Sequence, residues 1–209
     1  MKLTYKDIKE SVRRLCFLEE AEYEEYDKYM IEAVNFALLE VARQFPIKDR
    51  YVIRQDFGVG ERGYVSYDLM ELTKDEDDNR YLFMGFADKH PIICMSEEGG
   101  IEYGEYNILE DRFLVMNKSK DGEYLVFYKR YPKRITELTK DEHEIEFGAE
   151  VANLIPLLSA WRIFKDDDET KAAMYYNEYL RMKDEIKIAD EVRKNPFIVG
   201  YFEGEGVFA

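Results

Sequence analysis

The chain has 209 residues, 46% of them hydrophobic, which is enough apolar material to fill a real interior, either as one elaborated domain or as a core with a second lobe. Its formal charge of −15, from 45 acidic against 30 basic residues, argues against tight binding to nucleic acid, whose phosphates are held by clustered Lys and Arg. Aromatic residues reach 15%, led by 17 tyrosines and 13 phenylalanines, more than a minimal helical bundle needs, so part of the surface is expected to be contact surface.

No apolar run approaches the roughly 20 residues of a membrane span, and the opening MKLTYKDIKESVRRL lacks the apolar core of a signal peptide, so the expected address is cytoplasmic. In that setting Cys16 and Cys94, far apart in different kinds of segment, have no reason to pair; both are expected to be free and buried.

In chain order, Thr4 with Asp7 resembles a capping box, and Ile8, Val12, Leu15 and Cys16 trace one face of a short helix. An acidic run, Glu19 to Glu25, reads as a solvated helical face rather than a metal site, because Glu forms helix well and favours first turns. From Tyr26, the stripe Met30, Val34, Ala37, Leu38 and Val41 predicts a second helix that stops at Phe45-Pro46.

At Tyr51 the period becomes two, with Tyr51, Ile53, Gln55 and Phe57 on one face and Val52, Arg54 and Asp56 on the other. Further strands are expected at Tyr64 to Leu72, Tyr81 to Phe86, Ile92 to Met95, Ile101 to Ile108, Arg112 to Asn117 and Glu123 to Tyr131. Phe113–Asn117 and Tyr124–Tyr128 are expected to pair as a hairpin, with Asp121-Gly122 supplying a positive φ at the connection. No helical pattern interrupts this block, so antiparallel strands in a meander, sandwich or small barrel are favoured over a parallel βαβ sheet.

Helical periodicity returns over Ile145 to Ile188. Val151, Leu154, Ile155, Leu158, Trp161, Ile163 and Phe164 form one stripe, and Ala172, Ala173, Tyr176, Tyr179, Leu180 and Met182 a second, joined by Lys165-Asp166-Asp167-Asp168, whose carboxylates can cap the second helix. The two stripes suit an αα-hairpin with Trp161 buried between helices. Pro156 requires a kink or a helix that begins near it, since proline removes a backbone hydrogen bond and clashes with the carbonyl of Ala152.

The expected fold class is therefore α+β: a helical bundle, 1–48 and 134–194, built from the N-terminal helices and the C-terminal αα-hairpin, with an inserted antiparallel β domain over 49–133. The remaining 195–209 holds Pro196, three glycines and several aromatics, and is expected to be an extended arm that docks rather than dangles, with Phe197, Tyr201, Phe202 and Phe208 as its partner-binding anchors.

Signals for catalysis are close to absent. Gly58-Val-Gly-Glu-Arg-Gly63 satisfies GxGxxG, but a dinucleotide site needs the last glycine to open a helix, and Tyr64-Val-Ser-Tyr reads as a strand, so a glycine-rich loop without bound nucleotide is expected. Asp75-Glu-Asp-Asp78 lacks the alternate ligand spacing, the glycine and the terminal Glu of a calcium loop. His90 and His143 stand in no zinc or nucleophile pattern. No catalytic residue, cofactor or metal is assigned.

From Tyr128 to Met182 the succession YKRYPKRIT, then DEHEIEFGAEVANLIPLLSAWRIFKDDDETKAAMYYNEYLRM, resembles the C-terminal region of head-to-tail connector (adaptor) proteins of tailed bacteriophages and prophages. The shared features are a tyrosine-rich strand ending in proline, an acidic segment leading to a helix with Ile155-Pro156-Leu157-Leu158, an acidic turn, and a helix that begins with alanines and is rich in tyrosines. The β block would be an insertion of the kind that larger adaptor and tail tubular proteins carry. The resemblance implies a structural protein without catalysis, assembled in the host cytoplasm into a ring of about twelve copies. That ring would sit in the virion between portal and tail proteins, with DNA passing through during ejection without specific binding. A second class of function stays open on the residues alone: a ligand-binding module or unrecognised hydrolase with its site in the β domain.

Overall fold

A computed structural model describes residues 2–16, 23–57, 62–75, 80–87, 91–95, 101–102, 106–118 and 121–194, with backbone only at 23–28, 80, 95, 101–102, 192 and 194. The chain is α+β with antiparallel sheets and forms two compact units, one from Met1–Val41 and Arg134 onward, the other from Ala42–Lys133.

The first unit is helical. Helix α1, Tyr5–Cys16, opens on the capping box: Thr4 N–H donates to Asp7 Oδ2 at 2.8 Å and Asp7 N–H donates back to Thr4 Oγ1 at 3.3 Å. Two further donors of its first turn, Tyr5 N–H and Lys6 N–H, are taken by the carbonyls of His143 and Asp141, at 2.8 and 3.0 Å. Helix α2, Tyr23–Gln44, buries the stripe Met30, Val34, Ala37, Leu38 and Val41. Where the chain re-enters the unit, the Asn35 side chain clasps the backbone of Ile135 from both sides, donating to its carbonyl at 2.8 Å and accepting from its N–H at 2.9 Å.

Pro156 acts as the sequence requires. A single turn, α4, Ala149–Ala152, stops at Asn153, and α5, Leu154–Phe164, restarts with Pro156 in its first turn, where a missing N–H costs no intrahelical bond. After the acidic turn, Asp168 caps α6, Glu169–Lys194, by accepting from Lys171 N–H at 3.0 Å. Leu154, Ile155 and Leu158 of α5 are buried, as are Ala172 and Tyr179 of α6. Two expectations fail here. Trp161 is half-buried, not enclosed, because it lies at the rim of the α5–α6 contact. Of the expected α6 stripe, Ala173 and Tyr176 are exposed, since the packed face of α6 is centred on Ala172 and Tyr179 instead.

The second unit contains ten strands among its described residues: β1 Ile47–Gln55, β2 Tyr64–Asp68, β3 Lys74–Asp75, β4 Arg80–Tyr81, β5 Phe83–Phe86, β6 Ile92–Met95, β7 Ile101–Glu102, β8 Tyr106–Leu109, β9 Phe113–Asn117 and β10 Gly122–Arg130. Strand β1 begins four residues before the alternation read from Tyr51, and the Tyr64–Leu72 segment finishes as a helical turn, α3, Leu69–Leu72, capped by Asp68. One sheet has the order β1-β10-β6-β7 with β5 also on β10; another is β2-β9-β8; β3 pairs with β4. Ile53, Ile92, Tyr124 and Val126 of the first sheet share one buried cluster with Leu114 and Met116 of the second.

The expected β9–β10 hairpin does not form. Strand β9 pairs with β2 and β8, whereas β10 pairs with β1, β5 and β6, so the two strands that Asp121-Gly122 joins lie in different sheets. Gly122 does take a positive φ, +154°, but as the first residue of β10 opposite Gln55, and Asp121 accepts from Phe57 N–H at 2.8 Å. The tight hairpin is β8–β9, whose turn holds Glu110 and Asp111 at φ +54° and +49° and closes with Arg112 N–H donating to the Leu109 carbonyl at 3.1 Å.

Candidate interaction surfaces

In the helical unit the notable surface lies along α5 and α6. Trp161 stacks obliquely between Phe36 at 5.7 Å and Tyr176 at 5.2 Å, Tyr176 continues to Tyr179 at 5.9 Å, and Phe164 stacks on Tyr175 at 6.0 Å. Tyr175 in turn donates its hydroxyl to the Leu15 carbonyl at 2.7 Å, fastening the C-terminal end of α1 to α6. Cys16 stands beside this contact, where burial pushes its thiol up to about 12 against the opposing pull of Lys171. A groove of about 390 Å³ runs between α1, α5 and α6, lined by Arg14, Leu15, Pro156, Leu157, Glu178 and Met182. Met174 and Ile188 leave apolar surface on the outer side of α6, at 55% and 62% exposure, and Tyr176, at the margin of the packed face, is 39% exposed.

In the β unit the densest polar cluster surrounds Asp68. Its carboxylate accepts from Met70 N–H at 3.1 Å and from both ends of the Arg112 guanidinium, while the Tyr81 hydroxyl donates to Glu71 at 2.9 Å. The Arg112 hydrogen bond holds the Asp68 carboxyl below its usual range, and the Glu71 hydrogen bond raises the Tyr81 phenol. These groups satisfy one another and serve to tie α3 to the β8–β9 turn. Deeper in the unit, burial, and then Cys94 beside it, push the Tyr124 phenol up to about 12.

The residues singled out from the sequence are not brought into one site. Phe197, Tyr201, Phe202 and Phe208 lie outside the described residues, as do Gly58, Gly60, His90 and Glu76 to Asp78. Gly63, at φ +106°, is followed directly by β2, so no helix opens at the last glycine of the GxGxxG pattern. Asp75 is buried and paired with Lys133 at 3.5 Å. His143 contributes backbone, capping α1 through its carbonyl. Cys16 and Cys94 are free but half-buried, because each sits at the edge of its unit's core. Among the described residues no group of three or more His, Cys, Asp or Glu side chains could hold a metal ion, and no helix is long and apolar enough to cross a membrane.

One surface escaped sequence reasoning, the exposed face of β1 with Lys48, Arg50 and Arg54, although extending the period-two pattern back to Ile47 would have revealed it. Compared with known protein families and with curated proteins, the chain matches no family model and no curated sequence.

Proposed function

We propose that the protein is a head-to-tail connector of a tailed phage or prophage, a structural subunit that assembles into a ring between portal and tail around the DNA channel. The observation that carries this reading is the split of the helical unit: the chain leaves it after Val41, builds a β unit whose described strand pairs are antiparallel, and returns at Arg134. That arrangement accords with the adaptor resemblance of Tyr128 to Met182 and with a β block inserted between the helices. In this reading α1, α2, α5 and α6 are the helical bundle, α5 and α6 its αα-hairpin, and the two larger sheets of the insertion a small sandwich. The 195–209 arm, with Phe197, Tyr201, Phe202 and Phe208, docks on a neighbouring subunit or on the portal.

Physical chemistry supports the role in two respects. A ring needs two different, complementary surfaces on each subunit, and exposed apolar side chains along α6 are the kind of surface that assembly covers. A net charge of −15 suits a wall past which DNA slides, because repelled phosphates find few binding minima there. Electron microscopy of the purified chain, alone and mixed with the portal protein of the same genome, is the test. Rings of about twelve copies coaxial with the portal are expected. A chain that stays monomeric and leaves the portal undecorated overturns the reading.

A further inference from the structure

Strand β1 is a nine-residue edge. Among the described residues it pairs with β10 alone, in unbroken antiparallel register from Ile47↔Arg130 to Gln55↔Gly122. The backbone groups that face outward follow from the ladder. Phe127, opposite Arg50, donates its N–H to Pro91 at 2.7 Å and accepts from Ala87 N–H at 3.1 Å, both on the far side of β10 from β1. Arg50 and Phe127 are therefore a pair without mutual hydrogen bonds, and by alternation the N–H and C=O groups of Lys48, Arg50, Val52 and Arg54 point to the open edge. Among the described residues the Arg50 N–H is met only by the neighbouring Asp49 carboxylate, at 2.8 Å.

The side chains of these same four residues are exposed, and three are cationic in a chain of net charge −15. Arg54 is paired with Glu123 at 3.2 Å. Lys48 instead stands directly opposite Lys129, and like charges facing each other across a ladder are destabilising. Among the described residues neither Lys48 nor Arg50 has an acidic partner. A long open edge of this kind ordinarily carries a device that discourages further pairing. Here the cations discourage a second copy of β1 but favour an acidic strand.

We propose that the outer edge of β1 accepts the 195–209 segment of a neighbouring copy as an added strand, which makes it the receiving surface of the ring interface. The inference rests on the connector reading above and supplies the accepting half of the two unlike surfaces that a ring needs. That segment contains no Lys or Arg, is rich in the aromatic and β-branched residues that favour strands, and carries Glu203 and Glu205 two residues apart. Residues two apart share a face of a strand. Lys48 and Arg50 have the same spacing, so two carboxylates meet two cations while the backbone supplies the remaining bonds.

The test exchanges the charges in the full-length chain and measures association by sedimentation velocity. Lys48→Glu with Arg50→Glu, and separately Glu203→Lys with Glu205→Lys, each weaken self-association on the order of tenfold. Mixing the two variants restores it, since each then offers an arm that the other's edge accepts. Because all four side chains can be changed without touching the β1–β10 ladder bonds, unchanged circular dichroism is expected throughout. Rings that form equally well in both variants overturn the edge assignment and leave the connector reading intact. A mixture that stays dissociated overturns it too. So does a monomeric wild type whose Val52 and Arg54 amides are protected from hydrogen exchange, because the edge is then covered within one chain. A wild type that neither associates nor binds a portal removes the connector reading and this inference together.

Discussion

Replacing Trp161 by alanine tests how the helical unit is held together. The indole lies between Phe36 and Tyr176, at centroid separations of 5.7 and 5.2 Å, with Lys165 above the ring at 5.5 Å. Each ring pair contributes about 0.5 to 1.5 kcal/mol beyond its buried area. Truncating a fully buried Trp costs about 3 to 5 kcal/mol, much of it for the cavity left behind. Trp161 is half-buried, so the space it vacates opens to water and the cavity term largely disappears. The expected loss is therefore about 2 to 3 kcal/mol, dominated by the two ring contacts, with Trp161→Phe retaining roughly half. As Trp161 is the sole tryptophan, the variant must be followed by circular dichroism at the helical minimum during urea unfolding rather than by indole fluorescence. A loss below about 0.5 kcal/mol, typical of a surface substitution, would refute the packing role. A loss above about 4 kcal/mol would mean that the ring is enclosed after all.

Three further outcomes are expected. Changing Glu110-Asp111 to Asn-Gly should stabilise the β unit by about 0.5 to 1 kcal/mol, read as a raised urea midpoint, because both positions adopt a positive φ that Asn and Gly tolerate better. The Thr4 backbone hydrogen bond, and next its hydroxyl, hold the Asp7 carboxyl below its ordinary value of 3.8; that stabilisation is present above the unfolded value and is lost as pH falls through the folded one. The stability gap between wild type and Asp7→Ala should accordingly stay constant near neutrality and close in acid, and a gap that widens in acid would contradict the capping assignment. With its thiol pushed up to about 12, Cys16 should react with iodoacetamide at mildly alkaline pH at least about tenfold more slowly in the folded chain than in urea, as followed by peptide mass.

The helices were legible because their apolar residues keep helical period over several turns, as Met30 to Val41 do, and because Thr4, Asp7 and Asp168 are local capping signals whose partners lie within three residues. Most strand positions were legible for the same reason, alternation being a local property. The strand expected over Ile101 to Ile108, however, divides into β7 and β8, which belong to different sheets, and Tyr64 to Leu72 ends as the helical turn α3. Partnership between strands was not legible. Both β9 and β10 alternate, with burial patterns that fit either sheet, and the Asp121-Gly122 pair marks a change of direction without fixing which strand lies alongside. The true hairpin turn, Glu110-Asp111, carries none of the Asn or Gly residues that announce such turns. Periodicity also assigned Trp161 to the right face of α5 but could not give its depth, which depends on where the contact with α6 ends. The basic edge of β1 was hidden because Lys48, Asp49 and Arg50 lack the apolar half of a strand pattern, and their role emerges only when Lys129 is found opposite.

The central claim is assembly, and native mass spectrometry of the full-length chain at moderate ionic strength tests it most directly. The connector account predicts a discrete closed species of about twelve 24.9-kDa chains, near 300 kDa, formed alone or on the portal, with few open intermediates. A spectrum holding only the single-chain mass at every concentration, with and without portal, would contradict it.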